Sequence, residues 1–180
     1  QSGNILTITI QNLQANPISV IQNISGLRFT VVTGGGTLTS SSADHIDIAS
    51  NGTFTDLGVS ATDWTLTGSG SYFLNALSAS GPDQTIIGPP DGSNVYSAAG
   101  GSIAGNGPHN PFLSQSAVFT VTIPGLATDA VISGVVFQFG TGDDRVPGTS
   151  IPEPASMFLL GTGLLGVAAG IRRRRSSKQN

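Results

Sequence analysis

Few residues in this chain have the chemistry of a catalyst. His45 and His109 are the only side chains that ordinarily titrate near neutral pH, and there is no cysteine to act as a nucleophile. His45 lies between Asp44 and Asp47 in an alternating pattern, which predicts an exposed position on a strand. No Gly-x-Ser-x-Gly sequence is present. We therefore expect a protein that is not an enzyme and that uses no cofactor; a hydrolase would need paired acids, and the aspartates are scattered.

A candidate ligand-binding loop covers residues 76–116. It contains five of the ten prolines, and loops of this length in a compact domain are usually functional or disordered. Tyr96 and His109 lie in it and are the candidate contacts for a ligand such as a sugar. Trp64 and Tyr72 fall in strand patterns, which favours positions in the core for both.

Calcium is the most plausible ion for an acidic β domain, because its ligands are oxygens. The weak candidates are Asp91 with Asn94 and the pair Asp143 and Asp144. Neither group has the spacing of an EF-hand loop, so solvated turns are the competing interpretation.

Charge is divided sharply along the chain. Residues 1–150 contain nine Asp and two Arg, a net charge of −7, whereas residues 172–178 carry +5. An acidic body lacks the basic surface that binds the phosphates of nucleic acid, which excludes nucleic acid as a partner. The polar start at Gln1 resembles a mature end from which a signal peptide has been removed, so we expect an exported protein.

The sequence of the first 139 residues predicts an all-β domain. Gly, Ser and Thr make up more than a third of the chain, and short alternating runs are separated by turn residues such as Asn51-Gly52. This pattern predicts an antiparallel β-sandwich with a long Gly/Pro-rich loop. The main predicted strands are 4–10, 27–32, 63–67, 117–123 and 131–139, with shorter ones at 18–24, 45–49, 53–59, 71–75 and 85–87.

The C-terminal segment has three parts. Ile151 is followed by Pro152-Glu153-Pro154, whose two prolines favour a rigid extended peptide. Residues 155–171 carry no charge and predict one transmembrane helix of about 25 Å, short for a bilayer core of about 30 Å. Four arginines then predict a cytoplasmic end and an external body: Arg172, Arg173, Arg174 and Arg175. A plain permanent membrane anchor is the competing interpretation.

This order of parts closely resembles the PEP-CTERM sorting signal of Gram-negative bacteria. The resemblance covers about 30 of 180 residues, and Ile151 stands where Val is common. It implies exosortase, a polytopic membrane enzyme with a catalytic cysteine, as the processing partner. It also implies cutting near Pro152, Glu153 and Pro154, and export to a cell surface or biofilm matrix that is rich in exopolysaccharide.

These observations combine into one prediction of organisation and function. An extracellular β-sandwich domain occupies 1–139, a linker 140–150 and the sorting signal 151–180. The protein would be anchored in the inner membrane before processing, and would then serve a structural or adhesive role with exopolysaccharide as a possible partner. Two alternatives stay open: a carbohydrate-binding module that uses the 76–116 loop, and a self-associating filament subunit.

Overall fold

Strands make up most of the regular structure of this protein. The computed structural model describes residues 3–77 and 81–149, and its compact body ends at Gly148. Two short 3-10 helices, Val20–Gln22 and Gly107–His109, accompany the strands. The strands are β1 (Ile5–Gln11), β2 (Ile24–Gly35), β3 (Thr37–Ile48), β4 (Phe54–Ser60), β5 (Thr65–Asn75), β6 (Ile86–Ile87), β7 (Phe112–Thr122), β8 (Ile132–Phe139) and β9 (Asp144–Pro147).

All nine strands belong to one curled, mixed sheet with the shape of a half-barrel. Its order is β4-β3-β7-β6-β2-β8-β9, with β1 paired to β7 and β5 paired to β2. Every pairing is antiparallel except β6 with β7. The prediction of an all-β body is confirmed. The predicted sandwich is not confirmed, because β6 joins what would be two sheets into one.

The main core lies between the two arms of this sheet. On β2 the alternation buries Leu27, Phe29 and Val31, as the sequence predicts, and β7 contributes Phe119 and Val121. Side chains from both arms form one apolar cluster, so burial of these faces drives the curl of the sheet. Trp64 and Tyr72 are buried in the same cluster, which confirms their predicted positions.

A second, smaller core fills the segment that the sequence predicts as a free loop. Tyr96 and Ile103 are buried there against β3 and the start of β7. The prediction of a loop over 76–116 is therefore wrong in part, since the segment contributes to a core and its end, from Phe112, belongs to β7. The short strand predicted at 85–87 is confirmed by β6. The buried members of this cluster are Val20, Ile46, Ile48, Ile87, Tyr96, Ile103 and Phe112.

Two glycine-containing segments that favour turns differ in the structure. Gly52 has a φ of +80° in the β3–β4 hairpin, where Asn51-Gly52 predicts a turn, and that prediction is confirmed. A Cβ on Gly52 would lie 2.6 Å from the carbonyl oxygen of Tyr96, so only glycine lets the second core pack here. Gly68-Ser69-Gly70 also has residues that favour a turn, but these residues lie inside β5 with an irregular register against β2.

Other boundaries also differ from the predictions. The short strand predicted at 18–24 does not form: the segment contains the 3-10 helix Val20–Gln22, and Ile24 is the first residue of β2. Val131 precedes β8 and is exposed, although the alternation places it on the inner face. Within the predicted linker 140–150, Asp144–Pro147 forms β9, and the Gly148 N–H donates to the Val135 carbonyl at 2.8 Å.

No helix within residues 3–77 and 81–149 is long and apolar enough to cross a membrane. The transmembrane helix predicted at 155–171 lies outside the described residues.

The packing of Phe119 gives a test of the main core. Its ring centroid lies 5.0 Å from that of Trp64, and its side chain is fully buried. We expect Phe119→Ala to lower the free energy of unfolding by about 3–5 kcal/mol, because the large ring leaves a cavity. Urea unfolding followed by the fluorescence of Trp64, the single tryptophan, measures the change. The neighbouring Val118→Ala at a 40% exposed position is the control, and an equal loss in both variants would contradict this packing.

Candidate functional sites

His45 is a buried structural residue. The sequence predicts an exposed position for it, and this prediction is wrong: its side chain is 5% exposed. The register of β3 shifts on both sides of this point, against β7 between Ala43 and His45 and against β4 between His45 and Ile46. The shifts interrupt the strict alternation, so His45 and Ile46 are both buried. Nδ1 of His45 lies 3.1 Å from the Ala43 carbonyl oxygen and 3.1 Å from Oγ of Ser60.

Beside His45, two carboxyl groups face each other on β3 and β4. Burial raises the pKa of Asp44, and the nearby carboxylate of Asp56 raises it further. Oδ1 of Asp56 also accepts the Gly58 N–H at 2.7 Å, in the bulge of β4. The bond between Asp56 and Gly58 stabilises the bulge of β4 beside His45.

Tyr96 is not available as a surface contact for a ligand. The proposed role in the 76–116 loop requires an exposed ring, but Tyr96 is 1% exposed and its hydroxyl donates to the Gly88 carbonyl at 3.0 Å. Burial also raises its pKa. The ring of Phe54 packs edge-on against it, with centroids 5.8 Å apart. Tyr96 therefore holds the loop to the β3–β4 hairpin.

His109, the other candidate of this loop, is only partly buried. Its Nδ1 lies 2.5 Å from the carbonyl oxygen of Ser102, so one ring nitrogen is engaged within the loop. Ser102 in turn accepts the Val20 N–H on its Oγ at 3.1 Å. The two predicted contact residues thus stabilise the loop, and the structure does not bring them together in an open site.

The carboxylate of Asp91 accepts hydrogen bonds within its own turn. Its Oδ2 accepts the Ser97 hydroxyl at 2.5 Å, and its Oδ1 accepts the N–H groups of Ser93 and Val95 at 2.8 and 3.2 Å. The Ser97 bond first, and then the two backbone bonds, lower the pKa of Asp91. Asn94, the other oxygen donor proposed here, has a φ of +61° and donates its N–H to the Asp91 carbonyl at 2.9 Å.

The second calcium candidate lies at the start of β9. Oδ1 of Asp143 pairs with Arg145 at 2.6 Å, and both side chains are largely exposed. Asp144 lies opposite Phe139 in the β8–β9 pairing. Within residues 3–77 and 81–149, no three His, Cys, Asp or Glu side chains cluster closely enough to hold a metal ion.

An open apolar groove runs between the chain that follows β1 and the strands β8 and β9. Its larger part has a volume of about 510 Å³, and a smaller part of about 240 Å³ adjoins it at Phe139. Phe137 and Phe139 face it from β8, and the exposed Val146 faces it from β9. The remaining lining residues are Gln11, Asn12, Leu13, Gln14, Ile21, Gln22, Ile24, Asp144 and Arg145.

This groove is not evident from the sequence. The alternation of β8 identifies the apolar face that carries Phe137 and Phe139, but it does not show how much of that face the opposite arm covers. Leu13 and Ile21 come from the segment that joins β1 to β2, and their exposure is visible only in the structure.

The sorting-signal residues Pro152, Glu153, Pro154 and Arg172–Arg175 lie outside the described residues. The body that carries them is a curled all-β domain with a basic C-terminal segment in its sequence. Residues 150–175 match the family model of the PEP-CTERM protein-sorting motif, which confirms the resemblance. No curated protein and no solved structure matches the chain. This motif implies exosortase as the processing partner and indicates export.

The turn at Asp91 predicts a pH dependence of stability. Because the pKa of Asp91 is lower in the folded protein than its ordinary value of 3.8, its contribution is complete above that pH. The contribution is lost as the pH falls through the lowered pKa of the folded state. We therefore expect Asp91→Asn to reduce the free energy of unfolding at pH 6, and the deficit to shrink at lower pH. Urea unfolding at several pH values measures it, with the exposed Asp129→Asn as control; a deficit independent of pH would contradict the assignment.

Proposed function

We propose that this protein is a non-catalytic component of a bacterial surface or biofilm matrix, released or transferred by exosortase at its C-terminal signal. The proposal depends on the sorting motif at 150–175, which follows a compact β body in the sequence. In this proposal Pro152, Glu153 and Pro154 are the recognition element, and Arg172–Arg175 set the orientation in the membrane.

The state of the ionisable groups in the body supports a structural role. His45, the candidate general base with flanking aspartates, is buried and bonded to backbone and to Ser60. Asp91 is engaged by its own turn, and Asp143 is paired with Arg145. In this body, these polar side chains form hydrogen bonds and ion pairs within the domain. Such a body is suited to be a stable scaffold outside the cell.

A second candidate function is carbohydrate binding in the groove, in place of the 76–116 loop. Flat aromatic side chains such as Phe137 and Phe139 offer apolar surface to the C–H faces of sugars, and amides such as Gln14 and Gln22 lie beside them. The lining holds one acidic and one basic residue, Asp144 and Arg145, so these two charges cancel. This composition favours a neutral polysaccharide.

Processing at the C-terminal signal is tested in the native host. We expect mass spectrometry of the extracellular protein to show a C-terminus near Pro154 and no arginine tail. Glu153→Ala should abolish this processing and leave the protein in the membrane fraction, because it removes the only glutamate of the chain and the carboxylate of the motif. Asp129→Ala, a carboxylate lost from the exposed surface of the body, should be processed normally. An extracellular protein that still carries Arg172–Arg175 would overturn the proposal.

Binding in the groove is tested with Val146→Asp. Val146 is 53% exposed on the groove wall, and the added carboxylate beside Asp144 should disfavour the apolar contact of a sugar ring. In affinity electrophoresis through gels that contain a neutral polysaccharide, we expect the retardation of the wild type to fall at least about threefold. Val59→Asp on the exposed face of β4 carries the same charge away from the groove and should be retarded like the wild type. Equal loss in both variants, or no retardation of the wild type, would exclude this function.

A further inference from the structure

Among residues 3–77 and 81–149, four strands of the sheet have an unpaired edge, and three of them are protected against pairing with another strand. β4 contains a bulge next to Gly58 and the charged Asp56. β5 contains Gly68 and Gly70, both with positive φ. β9 has only four residues, among them two charges and Pro147. Bulges, glycines, charges and prolines are the features that keep edge strands from associating.

β1 is the exception. Its seven residues, Ile5–Gln11, contain no charge, no proline and no glycine, and they pair with β7 in a continuous register without a bulge. Within residues 3–77 and 81–149, β7 is the only strand that pairs with it. A regular, uncharged strand of this kind is a template for the addition of another strand.

The hydrogen bonds next to β1 show which of its backbone groups are free. The Asn12 N–H donates to the Gln115 carbonyl at 2.9 Å, and the Ile123 N–H donates to the Asn4 carbonyl at 2.7 Å. Hydrogen-bonded pairs alternate along an antiparallel ladder, so even-numbered residues of β1 bond to β7. The odd-numbered residues point their N–H and C=O groups to the open edge: Ile5, Thr7, Thr9 and Gln11.

We propose that this edge is an interface through which two copies of the chain pair by their β1 strands. The sequence of β1 is self-complementary about Ile8 when two copies run antiparallel. Leu6 then faces Ile10 of the second copy, and Thr7 faces Thr9 of the second copy. Aliphatic pairs and Thr–Thr pairs are favourable cross-strand neighbours. In this register all the free backbone groups of the odd-numbered residues are satisfied, with roughly eight new N–H···O=C bonds.

The charge and burial of β1 favour a second copy as the partner. The body carries a net charge of −7, so two copies repel wherever their aspartates approach, but β1 has no charge at all. Ile8, at the centre of the pairing, packs against the core and remains only partly buried, whereas Leu6 and Ile10 are almost fully buried. The Ile8 of the second copy would cover the exposed part of this side chain.

The pairing predicts a closed dimer. The same strand is used by both copies around a two-fold axis, so the contact is isologous and leaves no free β1 edge. This differs from a filament, which needs a head-to-tail contact between two different surfaces. The two curled sheets would join through β1 into one continuous sheet.

Sedimentation of the full-length chain in detergent tests the interface. We expect the wild type to be dimeric, and Thr7→Lys/Thr9→Lys to raise the dissociation constant at least about tenfold, because like charges then lie directly opposite each other. Thr55→Lys/Val59→Lys places the same two charges on the exposed face of β4, and this control should remain a dimer. A monomeric wild type, assemblies larger than a dimer, or a Thr7→Lys/Thr9→Lys variant that associates like the control would overturn the proposal.

A cysteine cross-link tests the register and does not depend on charge. The chain has no cysteine, so Ile8→Cys introduces a single thiol at the two-fold axis. Residue 8 would form a non-hydrogen-bonded pair with its counterpart, about 4.5 Å apart between Cα atoms, which is within disulfide range. We expect rapid formation of a disulfide-linked dimer, and little from Thr55→Cys on β4. Equal cross-linking rates for the two variants would overturn the proposed pairing, and Trp64 fluorescence checks that each variant is folded.

Discussion

Two consecutive isoleucines hold the sheet of this protein together. Ile86 and Ile87 form β6, and neither side chain is exposed to solvent. β6 pairs in parallel with β7, and Ile86 pairs with Ile24 of β2 in the antiparallel sense. Ile86 packs in the main core, and Ile87 packs in the second core. Because successive side chains of a strand point to opposite faces, this short strand joins both arms and borders both cores.

Side chains as well as the sheet bond to several polar groups around β6, although Oδ1 of Asn23 is buried without a hydrogen-bond partner among the described residues. Nδ2 of Asn12 donates to the carbonyls of Gln22 and Ile86, both at 2.9 Å, and Nδ2 of Asn23 donates to Oγ1 of Thr85 at 3.2 Å. A two-residue strand leaves neighbouring backbone groups without ladder partners, and a buried unpaired carbonyl is costly. Asn12 thus satisfies two carbonyls at this junction inside the protein, and Asn23 bonds to the side chain of Thr85 next to it.

The curl of the sheet separates its surfaces into regions of different character. One arm ends at the regular, uncharged edge of β1, whereas the other ends at β9, which is short and carries charges. The inner face of β8 and β9 extends past the opposite arm and leaves an apolar groove. The C-terminal motif indicates export, and these two surfaces are the ones that we propose for contacts of the folded body.

The sequence by itself determined the strand-forming character of the body, the inward face of the regular strands and the C-terminal sorting signal. Each of these depends on residue order alone: alternation with a period of two selects the buried side of β1, β2 and β7, and the Pro-Glu-Pro, apolar and arginine segments are read linearly. The same rule failed for His45 and Val131. Shifts in register interrupt the alternation at His45, and Val131 lies before the start of β8 and is exposed.

Only the tertiary structure decided how the strands are arranged and which residues are covered. The sequence predicts that Tyr96 lies in a loop. It is buried because the chain around it folds back onto the β3–β4 hairpin at Gly52. The single sheet, the groove and the free edge of β1 all depend on pairings between residues far apart in the chain, such as β1 with β7. Local periodicity identifies the face that a strand buries, whereas the choice of its neighbour depends on packing across the whole domain.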